Sequence, residues 1–254
     1  MKDNAMSQFK IYGETDQGRV RENNQDSIEW YLSTKEDIAL AILADGVGGF
    51  SGGEVASRLA VEHAREEICR SIQEDSKGWR AETARMVWRT MDAIAVANSA
   101  IHKVRSTNDE LGRMGTTIVL TLAYGENLCI AHIGDSRCYR YRHGELQQLT
   151  VDHSMAQELL HAGAENNLSY KNVLTRTLGV ESCVEPEVTM QTTEVDDIYL
   201  LCSDGLSSYI KDKHVVNILK ESDGLSQCVS DLVKAANAAG GSDNVSVVLV
   251  KRVS

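Results

Sequence analysis

The stretch Ile38-Ala39-Leu40-Ala41-Ile42-Leu43-Ala44-Asp45-Gly46-Val47-Gly48-Gly49 decides how this chain is read. The unbroken apolar run from Ile38 to Ala44, with no alternation, predicts a strand covered on both faces. Asp45 then sets a carboxylate at the mouth of that buried strand. The glycines that follow permit a tight turn and a close approach of the main chain to a ligand. A carboxylate oxygen beside a backbone carbonyl suits a hard divalent cation.

The arrangement recurs along the chain. Leu128 to Gly134 is a second apolar run and delivers Asp135 in Gly134-Asp135-Ser136-Arg137. Ile198 to Cys202 delivers Asp204 in Ser203-Asp204-Gly205-Leu206, and Asp243 in Ser242-Asp243-Asn244 stands just before the strand Val245 to Val250. A single aspartate at a strand end is ordinarily a turn former or a helix cap. Four at like positions are another matter, because carboxylates converging on one rim repel each other unless a cation neutralises them.

The chain has 254 residues, with 26 Lys+Arg against 37 Asp+Glu and a net charge of −11. That size allows one large domain, residues 1–254, with a substantial core. The acidic balance argues against a nucleic-acid surface, which needs clustered Lys and Arg. No apolar segment reaches the roughly 18 residues of a membrane span. The first residues lack the apolar core of a signal peptide, so a cytoplasmic protein is expected. Cys69, Cys129, Cys138, Cys183, Cys202 and Cys228 are scattered, with no Cys-x-x-Cys pair. Reduced thiols packed as small hydrophobes are the expectation.

Strands are predicted over 8–13, 27–32, 38–44, 116–124, 128–133, 138–142, 145–149, 187–191, 198–202 and 245–250, with His143-Gly144 as a hairpin turn. A helix over 53–72 presents Val55, Leu59, Ala60, His63, Ala64 and Ile68, with His63 read as a packed core residue. A second, over 84–105, presents Val87, Met91, Ile94, Asn98, Ile101 and Val104. Shorter helices are expected near 214–220 and 226–239. Paired helices between blocks of hairpin-linked strands predict an α+β fold, with antiparallel sheets and helices packed outside. Residues 152–176 hold a short helix, 155–162, followed by a polar, aperiodic stretch, as a mobile surface segment would.

Taken in order, Asp45-Gly-Val-Gly-Gly, Gly134-Asp-Ser-Arg, Ser203-Asp-Gly-Leu and Ser242-Asp-Asn resemble the successive motifs of the metal-dependent Ser/Thr protein phosphatases of the 2C type. The segment Thr15-Asp16-Gln17-Gly18-Arg19-Val20-Arg21-Glu22-Asn23-Asn24-Gln25-Asp26 is similar to the opening motif of the bacterial branch. The likeness runs from about Phe9 to Val250. It implies a four-layer αββα sandwich: two stacked, mainly antiparallel sheets with a helix pair on each outer face. It also implies a flap at 152–176 beside the active site.

The resemblance further implies two Mn²⁺ or Mg²⁺ ions that activate a water for attack on phosphoserine or phosphothreonine. Asp45 resembles the bridging ligand, and Gly46 the donor of a backbone carbonyl. Asp204 and Asp243 resemble ligands of the other ion, and Asp26 an acid that acts through water. Asp135, with Asp204, matches the holder of a third, weaker ion. Arg21 matches the phosphate-binding arginine, whose fork suits two phosphate oxygens. Glu54, Ser136, Arg137 and Asn244 are expected to fix loops, and Arg176 to face the cleft or form an ion pair. Three positions depart from the family pattern. Val47 and Phe50 stand where relatives place His, and Gln25 where some have Glu. Proton delivery is thus left open between cation-bound water, His153 and His161.

The partners implied are phosphorylated proteins, a Ser/Thr kinase and its targets among them, acted on by a monomer. A partner-switching phosphatase for one small phosphorylated regulator is the alternative. A non-catalytic module of the same fold would be expected to have lost a metal aspartate, and here all are present. An enzyme acting on nucleic acid would need a basic groove or a base-stacking platform.

Overall fold

The apolar run that opens the sequence argument forms β3 (Ile38–Val47), a strand buried along nearly its whole length. The computed structural model describes residues 7–33, 37–48, 52–74, 83–108, 111, 114–163, 170 and 173–254. One sheet follows the order β2 (Asp26–Ser33), β3, β5 (Ile118–Tyr124), β6 (Asn127–Ile133) and β9 (Glu187–Thr192), with the two-residue β4 (Gly115–Thr116) paired to β3. The other runs β1 (Phe9–Asp16), β11 (Val245–Arg252), β10 (Ile198–Cys202), β7 (Arg137–Arg142) and β8 (Glu145–Gln148). Every pairing is antiparallel.

The period-2 geometry of β3 explains why its sequence does not alternate. Ile38, Leu40 and Ile42 face helices α1 (Gly52–Glu74) and α2 (Thr83–Thr107). Ala39, Ala41 and Leu43 face the second sheet, meeting Tyr199, Leu201 and Val248. On the far side of that second sheet lie α4 (Asp204–Ser207), α5 (Asp212–Glu221) and α6 (Leu225–Ala238), packed on Leu200, Val247 and Leu249. The layers are therefore helix, sheet, sheet, helix. Each fully buried Leu or Ile in them is worth about 1.5–3 kcal/mol of transfer free energy. The four-residue α4 was not expected, being too short for periodicity to signal. Helix α3 (Met155–His161) matches the short helix expected, and Ser154 caps it by accepting from Gln157 N–H. His143 and Gly144 both take positive φ, 53° and 86°, as a two-residue hairpin between paired strands requires.

The helix faces agree only in part with those the apolar spacing suggested. On α1 the buried stripe is Ala56, Ala60, Ala64 and Ile68, with Val55 and Leu59 only partly buried at its flank. Small residues on this line let the helix lie close to the sheet. His63 is consequently not a core residue: its side chain is 37% exposed, 3.8 Å from Glu66. On α2 the expected Ile94, Asn98 and Ile101 are buried, together with Met86, Arg89, Thr90, Ala93 and Ala97, while Met91 points outward. The buried face is thus wider than the expected stripe and takes in the alanines beside it.

The strand expected over 116–124 is broken at Thr117 into β4 and β5. The predicted polar stretch after α3 falls largely outside the described residues, as do Gly49 and Phe50.

Candidate active site

Two sheet ends supply the acidic cluster. Asp45 and Gly46 lie within β3 and not beyond it: Asp45 pairs with Asp26 of β2, and Gly46 pairs with Thr116. Asp135 sits in the turn between β6 and β7, Asp204 opens α4, and Asp243 precedes β11. Arg21, Gln25, Asp45, Gly46, Val47, Asp135, Asp204 and Asp243 line one cavity of about 270 Å³. Asp26 is buried behind them.

The backbone around each carboxylate is tied down. Thr117 N–H donates to Asp45 O at 2.9 Å, and Asp45 N–H donates to Thr117 Oγ1 at 2.9 Å. Gly46 N–H donates to Gln25 O at 3.0 Å, and Gln25 N–H to Asn244 Oδ1 at 2.9 Å. The Asn244 amide in turn donates to Gln17 O and Asn23 O, both at 2.9 Å. Asn244 thereby fastens the N-terminal motif loop to the Asp243 turn. Gly46 admits no side chain, since a Cβ there would lie 2.2 Å from Gly53 O and 2.7 Å from Gln25 O.

Arg21 donates to Asp243 Oδ2 at 2.8 Å, and Asn244 N–H donates to Asp243 Oδ1 at 2.9 Å. The hydrogen bond to Asp243 is the main cause that raises the Arg21 pKa. Arg137, half-buried, grips Asp152 through two bonds of 2.8 and 2.7 Å. Ser136 Oγ lies 2.7 Å from Thr117 Oγ1. These two residues fix loops as expected, whereas Glu54 is exposed and contributes a carbonyl, accepting from the Ser57 hydroxyl. Arg176 lines an adjoining cavity of about 530 Å³ that shares Leu174 with the first.

Burial and like charge hold these acids toward protonation. Burial, then Asp26, Asp204, Asp135 and Asp243, raise the Asp45 carboxyl well above its usual range. Burial, followed by Asp204 and Asp152, pushes Asp135 up to about 7. Asp26 is raised chiefly by burial. The hydroxyls of Ser246 and Ser203 stand near enough to soften that shift, yet neither oxygen of Asp26 has a hydrogen bond of good geometry. A buried carboxylate without partners is costly. An oxygen-rich cavity of several acids beside such a group fits a hard divalent cation.

The two histidines considered for proton delivery do not line this cavity. His161 pairs with Gln157 on the exposed side of α3. His153 is buried, stacked on His132 with ring centroids 4.6 Å apart, and its pKa falls to about 4, first through burial. His132, His153 and Glu187 bring potential ligand atoms within 4.8 Å of one another. The hydrogen bonds speak against a cation there. Gly134 N–H donates to His153 Nδ1 at 3.1 Å. Neutral His153 therefore carries its proton on Nε2, the nitrogen facing Glu187.

Sequence reasoning gave Thr117 no more than a place in the strand entry Gly115-Thr116-Thr117, since its β-branched side chain reads as ordinary strand. Nor did it single out Leu174, an apolar residue in a polar segment.

A family model described as protein phosphatase 2C matches residues 16–250. The chain is 34% identical over 248 residues to the serine/threonine phosphatase stp of Listeria welshimeri, covering 94% of each. It is 34% identical to the serine/threonine phosphatase PstP/Ppp of Mycobacterium tuberculosis in a crystal structure with a TM-score of 0.83, covering 97% of this chain and 99% of that one. A structure of the PstP catalytic domain in complex with two manganese ions aligns with a TM-score of 0.81 at 35% identity, covering 97% and 99%.

Proposed function

Because this chain belongs to the protein phosphatase 2C family, we propose that Asp45, Gly46, Asp204 and Asp243 hold a pair of divalent cations, Mn²⁺ or Mg²⁺, at the floor of its cavity. The protein is a metal-dependent Ser/Thr protein phosphatase of the bacterial type. The observation that carries the cation assignment is the convergence of these acids, from β3, α4 and the β11 turn, on one cavity with the unpartnered carboxylate of Asp26 behind it. In this reading Asp45 would serve both ions, Asp26 would act through water, and Asp135 with Asp204 would hold a third, weaker ion. Divalent cations at this place supply charge neutralisation for a phosphate dianion and a more acidic water.

The chain's own contribution is placement. Asp45 and Gly46 sit on a strand whose backbone is bonded on both sides, so their oxygens are preorganised and little reorganisation accompanies reaction. Arg21 stands half-exposed at the rim, with its guanidinium already held by Asp243. A phosphoryl group entering the cavity takes up the remaining N–H groups of that fork. Val47, in the cavity wall, has no proton to give, so the leaving alkoxide is protonated by water of the cavity.

Phosphorylated proteins are the substrates, a Ser/Thr kinase and its targets among them, a reading that rests on the family likeness. The flap at 152–176 borders the site through Leu174. Six unpaired cysteines agree with action in a reducing cytoplasm, and we read the chain as a monomer. Turnover of a phosphothreonine peptide tests the proposal. Activity should vanish in excess EDTA and return with Mn²⁺, and activity that persists in EDTA would overturn the cation assignment.

A further inference from the structure

Thr117 interrupts a ladder that the strands on either side would continue. β3 and β5 pair from Ile38 with Tyr124 to Leu43 with Val119. Two residues further along, Asp45 faces Thr117. Thr117 N–H donates to Asp45 O at 2.9 Å, as an antiparallel pair requires. The reciprocal bond goes elsewhere: Asp45 N–H donates to the Thr117 hydroxyl at 2.9 Å, not to the Thr117 carbonyl. That carbonyl accepts from Thr116 Oγ1 at 3.0 Å.

On its other side the same Thr117 hydroxyl lies 2.7 Å from Ser136 Oγ, next in sequence to Asp135. Thr117 and Ser136 are 0% and 1% exposed, so no solvent competes for this bond. The turn that carries Asp135 also presses on Thr117 directly. A Cβ on Gly134 would come within 2.5 Å of Thr117 Cγ2. One buried hydroxyl therefore bridges the backbone of Asp45 in β3 and the side chain adjoining Asp135 in the β6–β7 turn.

We propose that Thr117 and Ser136 form a positioning couple that sets the Asp45 and Asp135 carboxylates relative to each other, so that cation binding at Asp45 and at Asp135 is linked. The inference rests on the cation assignment above. Replacing Thr117 by Val strands the Asp45 N–H in a dry site, and replacing Ser136 by Ala removes the anchor on the Asp135 side.

The test is calorimetric titration of Mn²⁺ into the metal-free proteins T117V, S136A, T117V/S136A, T117S and wild type, with kcat and KM for a phosphothreonine peptide. T117V and S136A should each weaken the weaker class of Mn²⁺ sites about tenfold. The double variant should lose no more than T117V alone, and T117S should restore binding. kcat should fall with KM unchanged. Wild-type Mn²⁺ binding in both single variants, or losses that add, overturns the couple. If T117V does not fold, T117A against T117A/S136A makes the same comparison: T117A should be weakened, and alanine at 136 should add nothing further. A wild-type protein that takes up no Mn²⁺ overturns the cation assignment and the couple with it.

Discussion

Asp26 and Asp45 stand directly opposite each other across β2 and β3, two carboxylates in one cross-strand pair. Like charges so placed are destabilising, and burial adds to the cost. The site therefore stores unfavourable electrostatics that a cation would relieve. Asp45→Asn should accordingly abolish phosphatase activity while raising the melting temperature of the metal-free protein, by about 2–4 °C for each kcal/mol relieved. Calorimetry in EDTA checks this. A lower melting temperature would mean that the carboxylate stabilises the empty fold.

The same acids predict a pH dependence of stability. Their folded pKa values lie above the unfolded ones, with Asp135 at about 7 against 3.8. The folded state holds its protons longer than the unfolded state, so stability is full below the unfolded value and declines as pH rises through the folded one. The metal-free protein should therefore lose stability between about pH 4 and pH 7. Added Mn²⁺ should restore it at pH 7 and have little effect at pH 4, where the carboxyls are protonated. Thermal melts across this range with and without Mn²⁺ measure it, and a metal-free melt that rises toward pH 7 would contradict it.

Arg21 is held by Asp243 and half-exposed at the rim. Arg21→Ala should raise KM for a phosphothreonine peptide by about ten- to a hundredfold, the worth of a charged hydrogen bond. Arg21→Lys should recover only part of this, since an ammonium cannot reproduce the fork. Steady-state kinetics decide, and an unchanged KM removes Arg21 from phosphate binding.

The Arg137–Asp152 pair is largely buried, with side chains 18% and 12% exposed. Arg137→Met leaves Asp152 without its bidentate partner and should reduce unfolding free energy by roughly 3–5 kcal/mol. Urea denaturation reads the change, and a loss below about 1 kcal/mol would show the pair to be unimportant for stability.

Much of the architecture was legible because its signals are local. An apolar run without alternation marks a strand buried on both faces, and Ile38 to Ala44 proved to be one. A carboxylate at the edge of an apolar run is also a local signal, which is why Asp45, Asp135, Asp204 and Asp243 were visible before the cavity was. What escaped depends on tertiary choice. Met91 and His63 belong by spacing to faces whose other members, Ile94 and Ile101 on α2 and Ala64 and Ile68 on α1, are buried, yet both side chains are left outside the packing. Thr117 looks like any strand residue until the ladder breaks at it. His153 is attractive as an acid by its place in the sequence, yet its ring is committed to Gly134 and His132, away from the cavity.

The most direct test of the central claim is anomalous diffraction from crystals soaked in Mn²⁺. Two strong peaks should appear in the cavity, bridged by Asp45, with Gly46 O on one side and Asp204 and Asp243 on the other. A map with no manganese among these residues, at a concentration that supports full activity, would contradict it.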